Sequence, residues 1–355
     1  MTDSGTPEPD PAGPVPRETE LDAVPRETEL DVPRGTPADD DYADSPIARE
    51  ARRAIEVRNV RQEVWPRPAA TRVVTVANQK GGVGKTTTTV NVAAALAQHG
   101  LRVLVLDLDP QGNASTALGI EHSVGSPSVY DVLLGGKALA EVRSVSESIG
   151  PTLTCVPATI DLAGADIELT AVVAREFRVR RALDTLLESQ DDEDRLDYVL
   201  IDCPPSLGLL TLNALVAGRE LLIPIQCEYY ALEGLAQLLN TVELVQSHLN
   251  PDLAVSTVLL TMYDSRTRLA DQVASEVRQH FGDVVVEAVI PRNVRVSEAP
   301  GYGQTVMTYD PGSRGAVGYL QAAREIAFRA VRAAPADGVP RETAEQDHEQ
   351  GGDQQ

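Results

Sequence analysis

Lysine is almost absent from this chain. Of 355 residues only Lys80, Lys85 and Lys137 are lysine, beside 28 arginines. Where arginine stands nearly everywhere, each remaining lysine needs a reason. Cysteine is scarce too: Cys155, Cys203 and Cys227 have no paired spacing, which excludes a disulfide scaffold and a zinc ribbon and fits a reducing cytosol. No apolar run approaches the ~18–20 residues of a membrane span. The opening residues Met-Thr-Asp-Ser-Gly-Thr-Pro-Glu have neither the basic region nor the apolar run of a secretory signal.

Positive charge is also short. The chain has 31 Lys+Arg against 53 Asp+Glu, a formal net charge of −22. Residues 1–46 carry −10 of this and residues 335–355 carry −5, so the stretch between is only modestly acidic. The bulk charge therefore describes the ends and argues only weakly against a nucleic-acid partner for the middle. Both ends hold almost no large apolar residues, and 1–46 hold 9 of the 24 prolines. Neither end can bury enough surface to offset ordering, so 1–46 and 334–355 are expected to be disordered tails. Val15-Pro-Arg-Glu-Thr-Glu-Leu-Asp22 repeats at Val24–Asp31, and Val339-Pro-Arg-Glu-Thr343 recurs near the other end. Two copies are too few for a solenoid and read as a solvated spacer or a short docking motif. Residues 47–61 predict a short basic amphipathic helix, within a helix or linker region spanning 47–70.

From Arg72 the pattern becomes strand–helix alternation. Continuous apolar runs predict strands at Val73–Ala77, Val103–Leu108, Leu153–Val156, Tyr198–Ile201, Leu221–Ile225, Ala254–Leu260 and Val284–Val289. Helices are expected at 86–99, 167–189, 232–248, 269–281 and 315–333. Such alternation implies an α/β fold, a doubly wound, mostly parallel sheet flanked by helices over 71–333.

Asn78-Gln-Lys-Gly-Gly-Val-Gly-Lys-Thr-Thr87 follows the first strand and opens the first helix, the context a P-loop needs. Gly81, Gly82 and Gly84 let backbone N–H groups turn inward around phosphate oxygens, and the helix N-terminus adds its dipole. Lys85 supplies a charge for the β/γ-phosphates and Thr86 a hydroxyl for Mg²⁺. The usual loop starts with glycine six residues before the lysine; here Gln79 stands there, followed by an extra lysine, Lys80. Two carboxylates, Asp107 and Asp109, close the second strand on one side of it, facing the ligand crevice. Asp202 closes the strand Tyr198–Ile201, where an acidic residue makes a second Mg²⁺ contact through water. Cys203 reads as a small buried filler.

Lys80-Gly-Gly-Val-Gly-Lys-Thr-Thr87 resembles the deviant Walker A box of the ParA/MinD ATPases, and the resemblance covers about residues 70–332. It implies a P-loop NTPase with ATP and Mg²⁺ as cofactors. Nucleotide would be held by Lys80, Gly81, Gly82, Val83, Gly84, Lys85, Thr86 and Thr87, and metal by Thr86, Asp107 and Asp202. Lys80 would act in trans across a nucleotide-sandwich homodimer, Lys85 in cis, and Asp109 would orient the attacking water. Two later blocks look like the ParA/Soj chromosome-partition type: Gln226-Cys-Glu-Tyr-Tyr-Ala-Leu-Glu-Gly234, and Ile290-Pro-Arg-Asn-Val-Arg-Val-Ser-Glu-Ala-Pro-Gly-Tyr-Gly303. By that resemblance Pro291 and Asn293 border the adenine. Arg266 and Arg295 would bind double-stranded DNA without sequence preference, with Arg268 and Arg292 as weaker candidates. A centromere-binding partner of the ParB kind would stimulate hydrolysis.

The acidic C-terminal tail differs from the basic amphipathic helix by which MinD-type relatives dock on membrane, so no membrane partner is expected. A cytoplasmic, nucleoid-associated partition ATPase is the resulting expectation. A nucleotide-gated scaffold or regulatory protein with little functional hydrolysis is the alternative, and a metabolic enzyme on the same scaffold is a second one.

Overall fold

The computed structural model describes residues 63–228 and 233–332. The expected helix at 47–61 and both tails lie outside the described residues.

Among the described residues eight strands form one sheet in the order β3-β4-β2-β5-β1-β6-β7-β8. They are β1 Arg72–Val76, β2 Val103–Asp107, β3 Ser144–Ser146, β4 Gly150–Val156, β5 Tyr198–Asp202, β6 Glu220–Gln226, β7 Ala254–Tyr263 and β8 Val285–Pro291. Every neighbouring pair is parallel except β3 with β4, so the expected doubly wound, mostly parallel sheet is what forms.

The apolar strands are buried on both faces, and their side chains alternate between two cores. Val73, Leu104, Leu106, Val199 and Ile201 enter one. Val74, Val76, Val103, Val105, Tyr198 and Leu200 enter the other. The first core is covered by α3 (Arg178–Glu188), α4 (Leu209–Ala217), α5 (Glu233–His248) and α6 (Arg268–Phe281). The second is covered by α1 (Lys85–Gln98) and α8 (Arg314–Arg332). Helix α1 is buried from Thr88 to Ala97. Its Ala93-Ala-Ala95 run has the small side chains that close packing between sheet and helix requires. Two shorter helices, α2 (Asn113–Ala117) and α7 (Val294–Glu298), follow β2 and β8.

Two differences from expectation have physical causes. The helix expected over 167–189 is broken. A turn at Ala165–Glu168 leads into short 3₁₀ segments, Ala174 takes a left-handed φ of 52°, and α3 then begins. The buried side chain of Asn213 on α4 explains the restart: its oxygen accepts the Val179 N–H at 3.3 Å and its amide donates to the Arg175 carbonyl at 2.9 Å. These bonds satisfy backbone groups that a continuous helix would have paired internally. The second difference is β7, which runs three residues past its expected end to Tyr263. Its extension carries Thr261 to the phosphate loop.

Residues 63–70 pack against the sheet. Trp65 is buried and stacks on His99 at 3.7 Å. Arg67 bonds the fully buried Asp197 at 2.9 Å.

Candidate phosphate-binding site

The carboxyl ends of β1, β2 and β5 lie side by side, and register places the site. Asp202 is the pairing partner of Val76 on one side and of Asp107 on the other. The loop leaving β1 therefore starts beside both carboxylates. Gly82 and Gly84 adopt φ of 74° and 91°, a region open to glycine and strained for other residues, so the loop can fold back on itself. Three side chains fix it. Asn78 donates to the Pro224 carbonyl at 2.8 Å and accepts from the Lys80 N–H at 3.0 Å. Thr261 donates to the Val83 carbonyl at 2.8 Å. Lys85 Nζ donates to the Lys80 carbonyl at 3.3 Å. Gly84 precedes α1 with no side-chain cap, which leaves the first-turn N–H groups, including those of Thr86 and Thr87, without a capping oxygen.

Under the loop the electrostatics are unfavourable as they stand. Asp107 and Asp202 are both fully buried. Burial pushes the Asp202 carboxyl up, and the Asp107 charge adds to this, while the Thr86 and Thr89 hydroxyls pull the other way. Asp107 is also raised by burial, tempered by the Ser115 hydroxyl and N–H. Lys85 is lowered by burial, with Asp202 and Asp109 opposing. Asp202 Oδ1 accepts from Thr89 at 3.0 Å, but Oδ2 has no partner. An orphaned carboxylate oxygen beside a second buried carboxylate and a threonine hydroxyl fits a hard cation. No cluster of three His, Cys, Asp or Glu forms a metal cage among the described residues. A nucleotide magnesium site does not need one, because waters and phosphates complete its shell.

Asp109 lies at the mouth of this pit, 7% exposed, with Oδ1 accepting the Gln111 N–H at 3.0 Å. Sequence reasoning missed the residues that orient these groups. Ser115 donates to Asp107 Oδ2 twice, through N–H at 2.9 Å and hydroxyl at 2.7 Å. Thr89, Asn78 and Thr261 were missed as well. Only Thr89 had a sequence signal, one helical turn after Thr86 on the same helix. The three cysteines are free and buried, and burial raises the Cys203 thiol, as an inert filler requires.

The remaining candidates sit at the ends of β6, β7 and β8. Pro291 ends β8 opposite Tyr263, and Asn293 caps α7 by accepting the Arg295 N–H at 2.8 Å. Arg266 is highly exposed and makes a two-pronged pair with Asp264, at 2.9 and 2.8 Å. Arg295 pairs with Glu298 at 2.9 Å and Asp310 at 3.4 Å. Both candidate DNA-binding arginines thus have local counter-ions. Lys80 reaches Glu228 at 3.7 Å. Among the described residues no helix is long and apolar enough to cross a membrane.

Comparison with known proteins agrees with this geometry. A family model described as an AAA domain matches residues 71–255. The sporulation initiation inhibitor protein Soj of Bacillus subtilis is 53% identical over 256 residues, covering 72% of this chain and 98% of that protein. The chromosome partitioning protein ParA of Caulobacter vibrioides is 50% identical over 258 residues, covering 73% and 94%. Among solved structures, a Mycobacterium smegmatis cobyrinic acid a,c-diamide synthase with bound ADP and magnesium superposes at TM-score 0.61 with 41% identity, covering 74% of this chain and 94% of that one. The septum site-determining protein MinD of Pyrococcus horikoshii, complexed with Mg-ADP, superposes at 0.58 with 26% identity, covering 72% and 96%. The phosphate loop, the paired strand-end carboxylates and relatives at half identity over nearly their whole length converge on one assignment: the chain belongs to the ParA/Soj family of chromosome-partitioning P-loop ATPases.

Proposed function

We propose that this protein is a DNA-partition ATPase that binds DNA non-specifically as an ATP-bound homodimer and is released by partner-stimulated hydrolysis. The observation that carries the reading is the pair of buried carboxylates, Asp107 and Asp202, in register beneath a glycine loop with two lysines. Lys85 and the open N–H groups of α1 hold the β/γ-phosphates of ATP. Thr86, Asp107 and Asp202 would hold Mg²⁺, directly or through water; bound there, the ion supplies charge neutralisation of the phosphates. Asp109 uses its remaining carboxylate oxygen to accept a hydrogen bond from the attacking water and aim it. Ser115 and Thr89 keep the two metal-side carboxylates in place. Lys80 acts on the phosphates of the second subunit, where it stabilises charge that develops only as the phosphoryl bond breaks. Pro291 and Asn293 border the base.

Turnover is expected to be weak alone and raised by a ParB-type centromere-binding protein, with the nucleotide state as the output. Arg266 and Arg295 supply the DNA contact after exchanging Asp264, Glu298 and Asp310 for phosphates. Two copies of each in a dimer would make a local positive patch on an acidic protein. The local pairing of both arginines also favours a second reading, a nucleotide-gated scaffold in which DNA is not the ligand. Sedimentation of Lys80→Ala with ATP and Mg²⁺ tests the core of the proposal. The variant should still bind nucleotide and fail to dimerise or hydrolyse. Normal dimerisation would remove Lys80 from its trans role.

A further inference from the structure

Gln226-Cys-Glu228 lies at the end of β6, within reach of the phosphate loop. Glu228 stands where three elements meet. Its Oε1 accepts from Gln226 Nε2 at 2.5 Å and lies 3.4 Å from Arg292 Nη2, just past the end of β8. Its Oε2 is left for Lys80, at 3.7 Å. The Glu228 N–H donates to the Gln226 carbonyl at 2.8 Å, so the carboxylate projects from a tight turn. Among the described residues no other carboxylate lies within 4 Å of the Lys80 ammonium.

The backbone of Lys80 is pinned at both ends. Its N–H is held by Asn78 Oδ1 and its carbonyl by Lys85 Nζ. Its side chain is not so held, and its one ionic partner among the described residues is Glu228. We propose that Glu228 is a positioning residue that holds the Lys80 ammonium against its own subunit until the dimer closes, and so sets how readily the dimer forms; this rests on the reading of Lys80 as the trans lysine. The strength suits the role. Both side chains are partly exposed, at 33% and 46%, and an ion pair in that setting contributes little and is screened by salt. It can therefore be exchanged for phosphate oxygens, which carry more negative charge. Each closing dimer breaks two such pairs, so the effect enters the dimerisation constant twice. Arg292 and Gln226 still hold Glu228 through Oε1 once Lys80 has left.

The test is sedimentation velocity on the full chain with Mg²⁺ and a non-hydrolysable ATP analogue, for wild type, Glu228→Gln, Glu228→Asp and Lys80→Ala, at low and high salt. Glu228→Gln should dimerise at a protein concentration roughly 3- to 10-fold lower than wild type. Its advantage should shrink at high salt, which a merely structural change would not produce. Glu228→Asp, which keeps the charge but draws it back by one methylene, should fall between the two and serves if the amide variant folds poorly. If wild type dimerises, Lys80→Ala does not, and Glu228→Gln is unchanged or weaker, the restraint is refuted while the trans role of Lys80 stands. A weaker Glu228→Gln dimer would assign the carboxylate to the closed interface instead. If Lys80→Ala dimerises like wild type, the reading of Lys80 fails and takes this proposal with it.

Discussion

With one carboxylate oxygen unpartnered and its whole side chain out of solvent, Asp202 costs the nucleotide-free fold stability. Its carboxyl is raised above the unfolded value, chiefly by burial. For an acid this means the penalty is absent below the unfolded pKa, grows as the pH rises from there towards the raised folded value, and is complete above it. Asp202→Asn should therefore raise the Tm of the nucleotide-free protein at pH 7 by roughly 2–6 °C, on the order of 1–2 kcal/mol. The gain should fade as the pH approaches about 4, where the carboxyl is protonated in both states. The same variant should lose magnesium-dependent ATP hydrolysis. A scan of Tm against pH for both proteins, with phosphate release beside it, checks all of this; an unchanged or lower Tm at pH 7 would show that Asp202 is already compensated without metal.

Elements show where sequence reading reached and where it stopped. The buried strands and the loop after β1 were legible because their signals are local: apolar runs, glycines at fixed offsets and an acid at the strand end. The side-by-side placement of Asp107 and Asp202 was not legible, because it depends on β5 pairing between β1 and β2. Contacts between distant residues were not legible. Glu228 lies 148 residues from Lys80, and no local pattern joins them. Asn213 stops the expected 167–189 helix from a position 34 residues beyond Val179. Its role at the start of α3 makes a separate prediction. Asn213→Ala leaves a buried N–H and a carbonyl unpaired, which should cost about 2 kcal/mol and lower the Tm by roughly 4–8 °C. Thermal unfolding measures it, and a shift under ~1 °C would mean that water replaces the amide. Length was legible only in part. β7 extends to Tyr263 because Thr261 and Tyr263 still find neighbours in β6, β8 and the phosphate loop.

On the scale of the whole molecule the proposed DNA binding must contend with a net charge of −22. The ends hold most of that charge, and what remains must be overcome locally, by arginines that are ion-paired in the single subunit. Under the proposed function such pairing would make DNA affinity depend on assembly, because a dimer would present each of these arginines twice. The candidate phosphate site lies at the carboxyl ends of β1, β2 and β5, and the segments that carry Arg266 and Arg295 follow β7 and β8, at the same end of the parallel strands. Co-sedimentation with DNA is the most direct test of this account, run with ATP, ADP and no nucleotide at two salt concentrations, for wild type and Arg295→Glu. The account predicts sequence-blind, salt-sensitive binding with ATP, at least about tenfold weaker with ADP, and lost in Arg295→Glu while the ATP dimer persists. Binding that is indifferent to nucleotide would contradict it.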